Sequence, residues 1–218
     1  MSTVPKKQQA PKIPARLPEA NFQDVYIEED PYLANALISN TIIEGEELEK
    51  LVLSRVKFKN VRFLHADFQR VDMTDVVFEN CDVSNASFSE GIMHRVVFKD
   101  CKLVGLNLSL CHLSNVLFDH CVANMSNFYE ARLKQVAFQH TSLQSANFHG
   151  TLFKHIGFDH CDIDDINLTE TELNGVDIST CSFERITVDL DCLTGCIVSK
   201  DQAIGFAALL GLKVKEDA

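Results

Sequence analysis

The 218-residue chain is 46% hydrophobic and carries a formal net charge of −11 at pH 7. Its length predicts a single domain, and its acidity argues against direct binding to nucleic-acid phosphates. Its apolar stretches are shorter than the roughly eighteen residues of a membrane span, and the N-terminus lacks the apolar segment of a secretion signal. We therefore expect a cytoplasmic protein that binds neither nucleic acid nor membrane directly.

The N-terminal region is set apart by proline. All five prolines precede residue 32, and proline cannot donate the backbone hydrogen bond that stacked strands require. Residues 1–20, which hold four basic side chains, are predicted to form a flexible basic tail. Residues 21–50 are predicted to form a half-regular cap over the first repeats. In this cap Ile38 and Leu48 keep the phase of the repeats that follow, whereas Glu46 occupies an inward position.

A five-residue repeat dominates the rest of the chain. Every fifth residue from Leu53 to Val198 is apolar, and this series contains thirteen of the fifteen phenylalanines. The residue two positions before each of them is also apolar or small, with Asp191 as the one clear exception. A period of five fits neither an amphipathic helix nor a simple strand, and it indicates a repeat architecture.

The five-residue units combine in fours. A Val/Ile-x-Phe motif recurs every twenty residues, with its phenylalanine at Phe58, Phe78, Phe98, Phe118, Phe138 and Phe158. Four units therefore make one coil, and each unit contributes two inward side chains. Thirty units make seven to eight coils, which at an inter-strand distance of about 4.8 Å predicts a rod roughly 36 Å long.

The unit resembles the pentapeptide repeat, whose usual form is Ala-Asp/Asn-Leu/Phe followed by two polar residues. Close examples are residues 66–70, 146–150 and 166–170. The resemblance covers about two thirds of the chain. It implies an all-β solenoid over residues 51–200, the right-handed quadrilateral β-helix, whereas the periodicity by itself predicts only a four-sided solenoid.

A helix is predicted in the C-terminal segment, 201–218. Ser199 and Gln202 fit the N-cap and N3 positions of a capping box, and Gly211 suits the position just past the helix. This helix either covers the last coil or forms a dimer interface. The segment resembles the C-terminal end of gyrase-targeting pentapeptide-repeat proteins, which associate tail to tail. The resemblance implies a homodimer through Phe206, Leu209, Leu210 and Leu212.

Cysteine is concentrated in the predicted interior. Seven of the eight cysteines occupy the inward position two before the large apolar residue: Cys81, Cys101, Cys111, Cys121, Cys161, Cys181 and Cys196. Metal ligands must converge from several directions, whereas these side chains point the same way, and small buried thiols behave as hydrophobes. We interpret them as core filler and predict no metal and no cofactor.

Three histidines, His120, His140 and His160, align at one predicted outward corner. Metal binding or pH sensing is the alternative to a turn residue that hydrogen-bonds its neighbours, and we favour the turn residue. The chain also lacks a phosphate-binding loop, a dinucleotide fingerprint and a zinc-protease motif. A filled interior leaves no obvious pocket for a substrate, so we predict that the protein is not an enzyme.

The distribution of charge is the main functional indication. Residues 51–70 contain five basic side chains against one acid, whereas residues 159–191 contain ten acids against Arg185 alone. We predict a partner-binding acidic surface formed by Asp159, Asp162, Asp164, Asp165, Glu170, Glu172, Asp177, Asp189 and Asp191.

An acidic rod can compete for a cleft that is built to hold DNA. The resemblance to gyrase-inhibiting, fluoroquinolone-protecting pentapeptide-repeat proteins implies a DNA mimic that binds DNA gyrase or topoisomerase IV and modulates susceptibility to drugs or toxins. The repeat runs without insertion from residue 53 to residue 198, which resembles the loopless branch of those proteins. The alternative is a scaffold or protein-interaction module with another partner, because acidic residues also serve solubility.

Overall fold

The computed structural model describes residues 8–209 and 211–215. Within these ranges the chain forms a β-solenoid of about eight turns that ends in a single helix. The strands are β1 (Tyr32–Ser39), β2 (Ile42–Glu44), β3 (Val52–Lys59), β4 (Arg62–Leu64), β5 (Asp72–Glu79), β6 (Ile92–Lys99), β7 (His112–Asp119), β8 (Arg132–Gln139), β9 (Leu152–Asp159), β10 (Ile166–Asn167) and β11 (Ile186–Thr187). The helices are two 3-10 turns, Phe22–Tyr26 and Asp191–Leu193, and α1, Lys200–Leu209.

The strands pair in parallel, each residue with the residue twenty positions further on. Phe58 pairs with Phe78 in this way. The long strands form one seven-stranded sheet in the order β1-β3-β5-β6-β7-β8-β9, and two short sheets pair β2 with β4 and β10 with β11. Isolated parallel bridges at the same spacing continue the stacking elsewhere. The predicted coil of four pentapeptides is confirmed.

The corners of the coil fall at residue numbers that end in 0 or 5. In the described part of the chain, every non-glycine residue with a positive φ lies at such a position. Asparagine adopts this left-handed conformation more readily than most residues, and Asn60 Nδ2 donates to Asn40 Oδ1 at 2.8 Å. We number the four faces by the coil that begins at residue 51. Faces 1 to 4 contain residues 51–54, 56–59, 61–64 and 66–69, and residues twenty positions later share a face.

The interior is filled by the inward series that the sequence predicts. Phe118 is fully buried and stacks between Phe98 and Phe138, with ring centroids 5.1 and 4.8 Å away. Phe128 approaches the same ring edge-on at 6.0 Å. The core is therefore a set of continuous side-chain columns that run along the rod axis, and each side chain packs mainly on the coils directly above and below it.

The two phenylalanines that lie outside the five-residue series cover the two ends of this core. Phe22, in the first 3-10 helix, is buried and stacks on Phe68 with ring centroids 5.7 Å apart. Phe206, in α1, lies 5.8 Å from Phe183 of the last coil. Each end of the solenoid therefore has an aromatic side chain over its open column, which limits the apolar surface exposed there.

The segment predicted as a half-regular cap, 21–50, contains strands β1 and β2 as well as the first 3-10 helix. Its Glu46, in an inward position, lies at the end of the rod and is half-buried. Gln23 Nε2 donates to Glu46 Oε1 at 2.6 Å, and the Tyr26 hydroxyl also hydrogen-bonds this carboxylate. The acid is tolerated because the 3-10 helix supplies it with donors.

Residues 8–20 differ from the flexible tail that the sequence predicts. They fold back along the outside of the rod, and we call them the N-terminal arm. Glu19 forms a parallel bridge with Leu37 of the first coil, and the Lys12 N–H donates to Asp75 Oδ1 at 2.8 Å. The rod offers these residues hydrogen-bond acceptors outside its own ladder. Residues 1–7 of the predicted tail lie outside the described residues.

Helix α1 begins at the predicted capping box. The Gln202 N–H donates to Ser199 Oγ at 3.2 Å, and the Ser199 N–H donates to Gln202 Oε1 at 2.9 Å. Gln202 Nε2 also donates to the carbonyls of Ile178 and Cys181, each at 2.9 Å, which ties the helix to the last regular coil. No helix in the described ranges is long and apolar enough to cross a bilayer.

Candidate partner-binding surface

The predicted acidic residues encircle the C-terminal coils. By register they occupy all four faces and two corners instead of forming one stripe. Five of them are exposed, namely Asp165, Glu170, Glu172, Asp189 and Asp191. Four are half-buried, namely Asp159, Asp162, Asp164 and Asp177. We call these nine residues the acidic band.

The density of charge in this region is high. The segment 159–191 contains ten acids, the acidic band together with Glu184, and one arginine. At about 4.8 Å per coil, the segment is roughly 8 Å long, so it carries on the order of one net negative charge per ångström of axis. Duplex DNA carries one charge per about 1.7 Å. The acidic segment therefore reaches the charge density of DNA over a short length.

Some of these carboxylates also hold the fold together. Asp164 Oδ1 accepts hydrogen bonds from the backbone N–H groups of Arg185 and Glu184, at 2.8 and 2.9 Å. These bonds keep the pKa of Asp164 below its usual range. Asp177 Oδ1 accepts the Ser179 N–H at 2.9 Å. Sequence reasoning assigned both acids to partner binding and missed this structural role.

Other acids in the segment are available to a partner. Glu172, Glu184 and Asp191 are exposed, and their carboxylates make no hydrogen bond or ion pair with the rest of the described chain. Glu170 is exposed as well, with its Oε2 3.8 Å from His149 Nε2. The carboxylates of these four side chains therefore face mainly solvent.

The basic residues of the N-terminal coils are locally neutralised. Lys57 and Lys59 both pair with Glu79, at 2.5 and 3.2 Å. Arg70 pairs with Glu49 at 2.6 Å and with Glu90 at 3.0 Å. Three of the five basic side chains of residues 51–70 are therefore paired within the rod, whereas the large excess of acids lies near its C-terminal end.

The residues predicted at a dimer interface have different environments. Phe206 packs on Phe183 and covers the core. Leu212 is 59% exposed beyond the helix, and Ile204 on α1 is 44% exposed. Leu210 and the side chain of Leu209 lie outside the described residues. The exposed apolar side chains at this end are those that a second chain can cover.

The cysteine series lies in the core, as the five-residue pattern predicts. Cys81, Cys101, Cys111, Cys121, Cys161 and Cys181 are buried, Cys192 and Cys196 are half-buried, and all eight are free thiols. The Cys111 thiol donates to the carbonyl of Phe88 at 3.0 Å, and burial raises its pKa to about 12. A thiol with such a pKa is neutral and unreactive at neutral pH.

The histidine corner forms a stack. The rings of His120 and His140 have centroids 4.7 Å apart, and those of His140 and His160 are 5.4 Å apart. His120 Nδ1 hydrogen-bonds Asp119 Oδ1 at 2.7 Å, as expected of a corner residue that contacts its neighbour. Within the described ranges, no group of three or more His, Cys, Asp and Glu side chains is arranged to hold a metal ion.

Two family models match the repeat region. A model of pentapeptide repeats in eight copies matches residues 52–89, and a model of the pentapeptide repeat region matches residues 91–168. An uncharacterized protein of Bacillus subtilis (strain 168), YisX, is 38% identical over 69 residues, which is 32% of this chain and 32% of YisX. The match thus spans about a third of that curated relative.

Two solved structures share the fold. QnrB1, a plasmid-mediated fluoroquinolone resistance protein, superposes with a TM-score of 0.56 at 16% identity, over 81% of this chain and 100% of QnrB1. HetL, from Nostoc sp. strain PCC 7120, is involved in the regulation of heterocyst differentiation. It superposes with a TM-score of 0.54 at 15% identity, over 84% of this chain and 94% of HetL. With the twenty-residue coil and the two matching models, these likenesses show that the chain belongs to the pentapeptide-repeat family.

Proposed function

We propose that the protein is a non-enzymatic binding protein of the cytoplasm that occupies the DNA-binding cleft of a type II topoisomerase, DNA gyrase or topoisomerase IV. The observation that carries this proposal is the DNA-like charge density of residues 159–191. A cleft that holds DNA presents positive charge over a length of duplex, and a rigid rod with a matching density of carboxylates competes for it electrostatically.

The fold supports the same proposal. The chain covers the whole of QnrB1 in the superposition, and QnrB1 is a fluoroquinolone resistance protein. In this chain, occupation of the cleft would alter the susceptibility of the topoisomerase to drugs or toxins that act on the DNA-bound enzyme. The uninterrupted ladder of coils favours simple occupation of the cleft over contacts made by an inserted loop.

A gyrase supercoiling assay with two charge variants tests the proposal. The band variant neutralises three members of the acidic band and the neighbouring Glu184. It carries Glu170→Gln, Glu172→Gln, Glu184→Gln and Asp191→Asn, because these acids make the fewest contacts within the rod. The control variant carries Glu28→Gln, Glu29→Gln, Glu44→Gln and Glu47→Gln, four exposed acids near the other end of the rod. Both variants change the net charge by the same amount and leave the core intact.

We expect wild-type protein at micromolar concentration to inhibit supercoiling, and the control variant to inhibit it almost as well. The band variant should need at least about tenfold more protein, because the loss of even one close charge pair across an interface costs about 1.5 kcal/mol or more. Inhibition should weaken as salt is raised. Equal loss in both variants would mean that only net charge matters, and no inhibition by wild-type protein would reject the topoisomerase.

We further propose that the protein is a homodimer through its C-terminal end, with Phe206, Leu209, Leu210 and Leu212 near the contact. Leu212 and Ile204 are the exposed apolar side chains that support this. A tail-to-tail dimer would place two acidic bands next to each other and so double the length of DNA-like charge.

Light scattering on Leu212→Glu tests the dimer. This variant is cleaner than one at Phe206, because Phe206 also covers the core and its loss would disturb the fold. We expect wild-type protein at twice the monomer mass and Leu212→Glu at the monomer mass, since a charge buried at the interface lacks a partner. Lys213→Glu, one residue away, is the matched control. A monomeric wild type would contradict the proposal.

A second candidate function is a scaffold for a different protein partner. The likeness to HetL, which has a regulatory role, favours keeping this candidate, because the same solenoid serves a different process there. A scaffold should retain its partner when the acidic band is neutralised. If gyrase is unaffected by wild-type protein, capture of partners on the band variant and the wild type would identify a surface that does not depend on this charge.

A further inference from the structure

The N-terminal arm lies in a groove along the corners that join faces 1 and 2. The Gln9 N–H donates to Asn115 Oδ1 at 3.0 Å, and the Lys12 N–H donates to Asp75 Oδ1 at 2.8 Å. Gln8 Nε2 donates to the carbonyl of Val116 at 2.7 Å. These anchors belong to the third and fifth coils of the ladder, so the arm runs along the rod axis, across the direction of the strands.

The acceptors in the groove are buried only where the arm lies. Asp75 is 6% exposed and Asn115 is 4% exposed. In the same corner column Asn35, Arg55 and His155 are exposed. A corner side chain of a solenoid normally faces solvent, so the low exposure of Asp75 and Asn115 marks a site that is covered by an extended segment.

The chemistry of the groove suits extended peptides in general. Two of the three anchors on the arm are backbone N–H groups, which residues of almost any type supply. The prolines of the arm favour extended backbone in the residues that precede them. On face 2 an outward column of half-buried apolar residues follows the same axis, at Val77, Val97 and Leu117. The groove therefore combines acceptors for the backbone N–H groups of a peptide with an apolar strip, as peptide-binding grooves do.

The arm is held weakly enough to be exchanged. Most of its side chains are exposed, including Gln9, Ala10, Lys12 and Arg16. A segment with few buried apolar side chains opens at low cost in free energy compared with the whole fold. The rod beneath it has its own backbone ladder, since β5, β6 and β7 pair with one another, and Asp75 is also paired with Arg95 at 2.5 Å. Release of the arm would expose the groove and leave the core covered.

We propose that the groove defined by Asp75, Asn115 and Val116 is a peptide-binding site, and that the N-terminal arm occupies it as an internal ligand. Its external ligand is an extended, proline-containing, basic segment of another protein chain, patterned like residues 8–20. The arm that fills the groove shows this pattern itself, with Lys12, Arg16 and three prolines. The arm then competes with the partner, and the site is distinct from the acidic band.

A full-length variant that weakens the arm tests this site. Gln9→Pro combined with Lys12→Pro removes the two N–H groups that donate to Asn115 and Asp75, without changing any atom of the rod. The probe is a fluorescein-labelled synthetic peptide with the sequence of residues 1–20, followed by fluorescence anisotropy. The matched control peptide carries the same two prolines. A third protein combines Asn115→Gly with the two proline substitutions. We choose glycine because the corners Gly105 and Gly150 already accommodate it.

We expect the peptide to bind the double variant saturably and to bind wild-type protein at least about tenfold more weakly, because the tethered wild-type arm competes at an effective concentration in the millimolar range. The chain with Asn115→Gly should lose about tenfold in affinity, the effect of one good hydrogen bond at a buried acceptor, and the control peptide, which lacks two such bonds, should lose about a hundredfold. The proposal would be overturned if the peptide did not bind the double variant, or if the two peptides bound it equally well. The arm would then have only a structural role.

Discussion

Phe118→Asp should prevent folding of the rod. Phe118 is fully buried between Phe98 and Phe138, and removal of a buried phenylalanine side chain costs about 3–5 kcal/mol. The new carboxylate adds the cost of a buried polar group without a partner, several kcal/mol more. The sum is comparable with the whole stability of a typical domain, about 5–15 kcal/mol. We expect an insoluble protein, or a soluble one without a cooperative thermal transition by circular dichroism.

Lys134→Asp is the matched control for this substitution. Lys134 lies on the next coil but points outward and is exposed, so the same aspartate meets water there. We expect a stability within about 0.5 kcal/mol of wild type, the range typical of surface substitutions. A Phe118→Asp protein that melts as cooperatively as this control would contradict the assignment of the inward columns.

Arg95→Asn should destabilise the rod through the charge that it leaves behind. Arg95 Nε and Nη2 donate to Asp75 Oδ1 and Oδ2 at 2.5 and 2.8 Å, and both side chains are largely buried. We choose asparagine because it tolerates the left-handed corner. The expected loss is roughly 3 kcal/mol, the lower end for breaking a buried pair, measured by urea unfolding. Asp75→Asn combined with Arg95→Asn should recover most of this loss, because no charge then remains unpaired.

The pH dependence of stability gives an independent readout of this pair. The Arg95 guanidinium holds the pKa of Asp75 below its usual range. The resulting stabilisation is present above the unfolded-state pKa of about 3.9 and is lost as the pH falls through the lower folded-state pKa. Below about pH 4, wild-type stability should therefore fall more steeply than that of Arg95→Asn. Parallel curves for the two proteins would show that the pair does not shift this pKa.

The regular part of the fold could be predicted from the sequence because the neighbours of each inward side chain lie at a fixed spacing along the chain. A buried ring such as Phe118 faces the same position twenty residues earlier and later, so local composition and tertiary contact carry the same information. The C-terminal capping box could be predicted for a similar reason, since Ser199 and Gln202 are close in sequence. Of the two end covers, Phe206 lay in the predicted C-terminal helix, whereas Phe22 was visible only as an exception to the five-residue series.

The path of the N-terminal arm could not be predicted in this way. Its anchors join Gln9 to Asn115 and Lys12 to Asp75, and no periodic pattern links residues so far apart in sequence. One signal was present: on face 2 the outward positions Val77, Val97 and Leu117 are apolar where a solvated face would be polar. This column indicates that some segment covers the face, although it does not identify the segment.

The location of the acidic band could be predicted from the sequence, but the role of each acid in it could be predicted only in part. Counting charges locates it within residues 159–191, since the excess there is large. It does not separate Glu172, which faces solvent, from Asp164, whose carboxylate holds two backbone N–H groups. That distinction depends on the irregular path of the chain after the last full coil, which the five-residue pattern does not describe.

Because of the strict twenty-residue register, insertions and deletions can change the distance between surfaces on the rod only in fixed steps. Loss or gain of a whole coil would leave every later residue on its own face and change the separation between the arm and the acidic band by about 4.8 Å. Loss of five residues would keep the core filled but rotate the band by one face relative to the arm. A change that is not a multiple of five residues would turn polar residues inward. Related chains of this kind can therefore change the spacing of their binding surfaces only in steps, and each step preserves the interior.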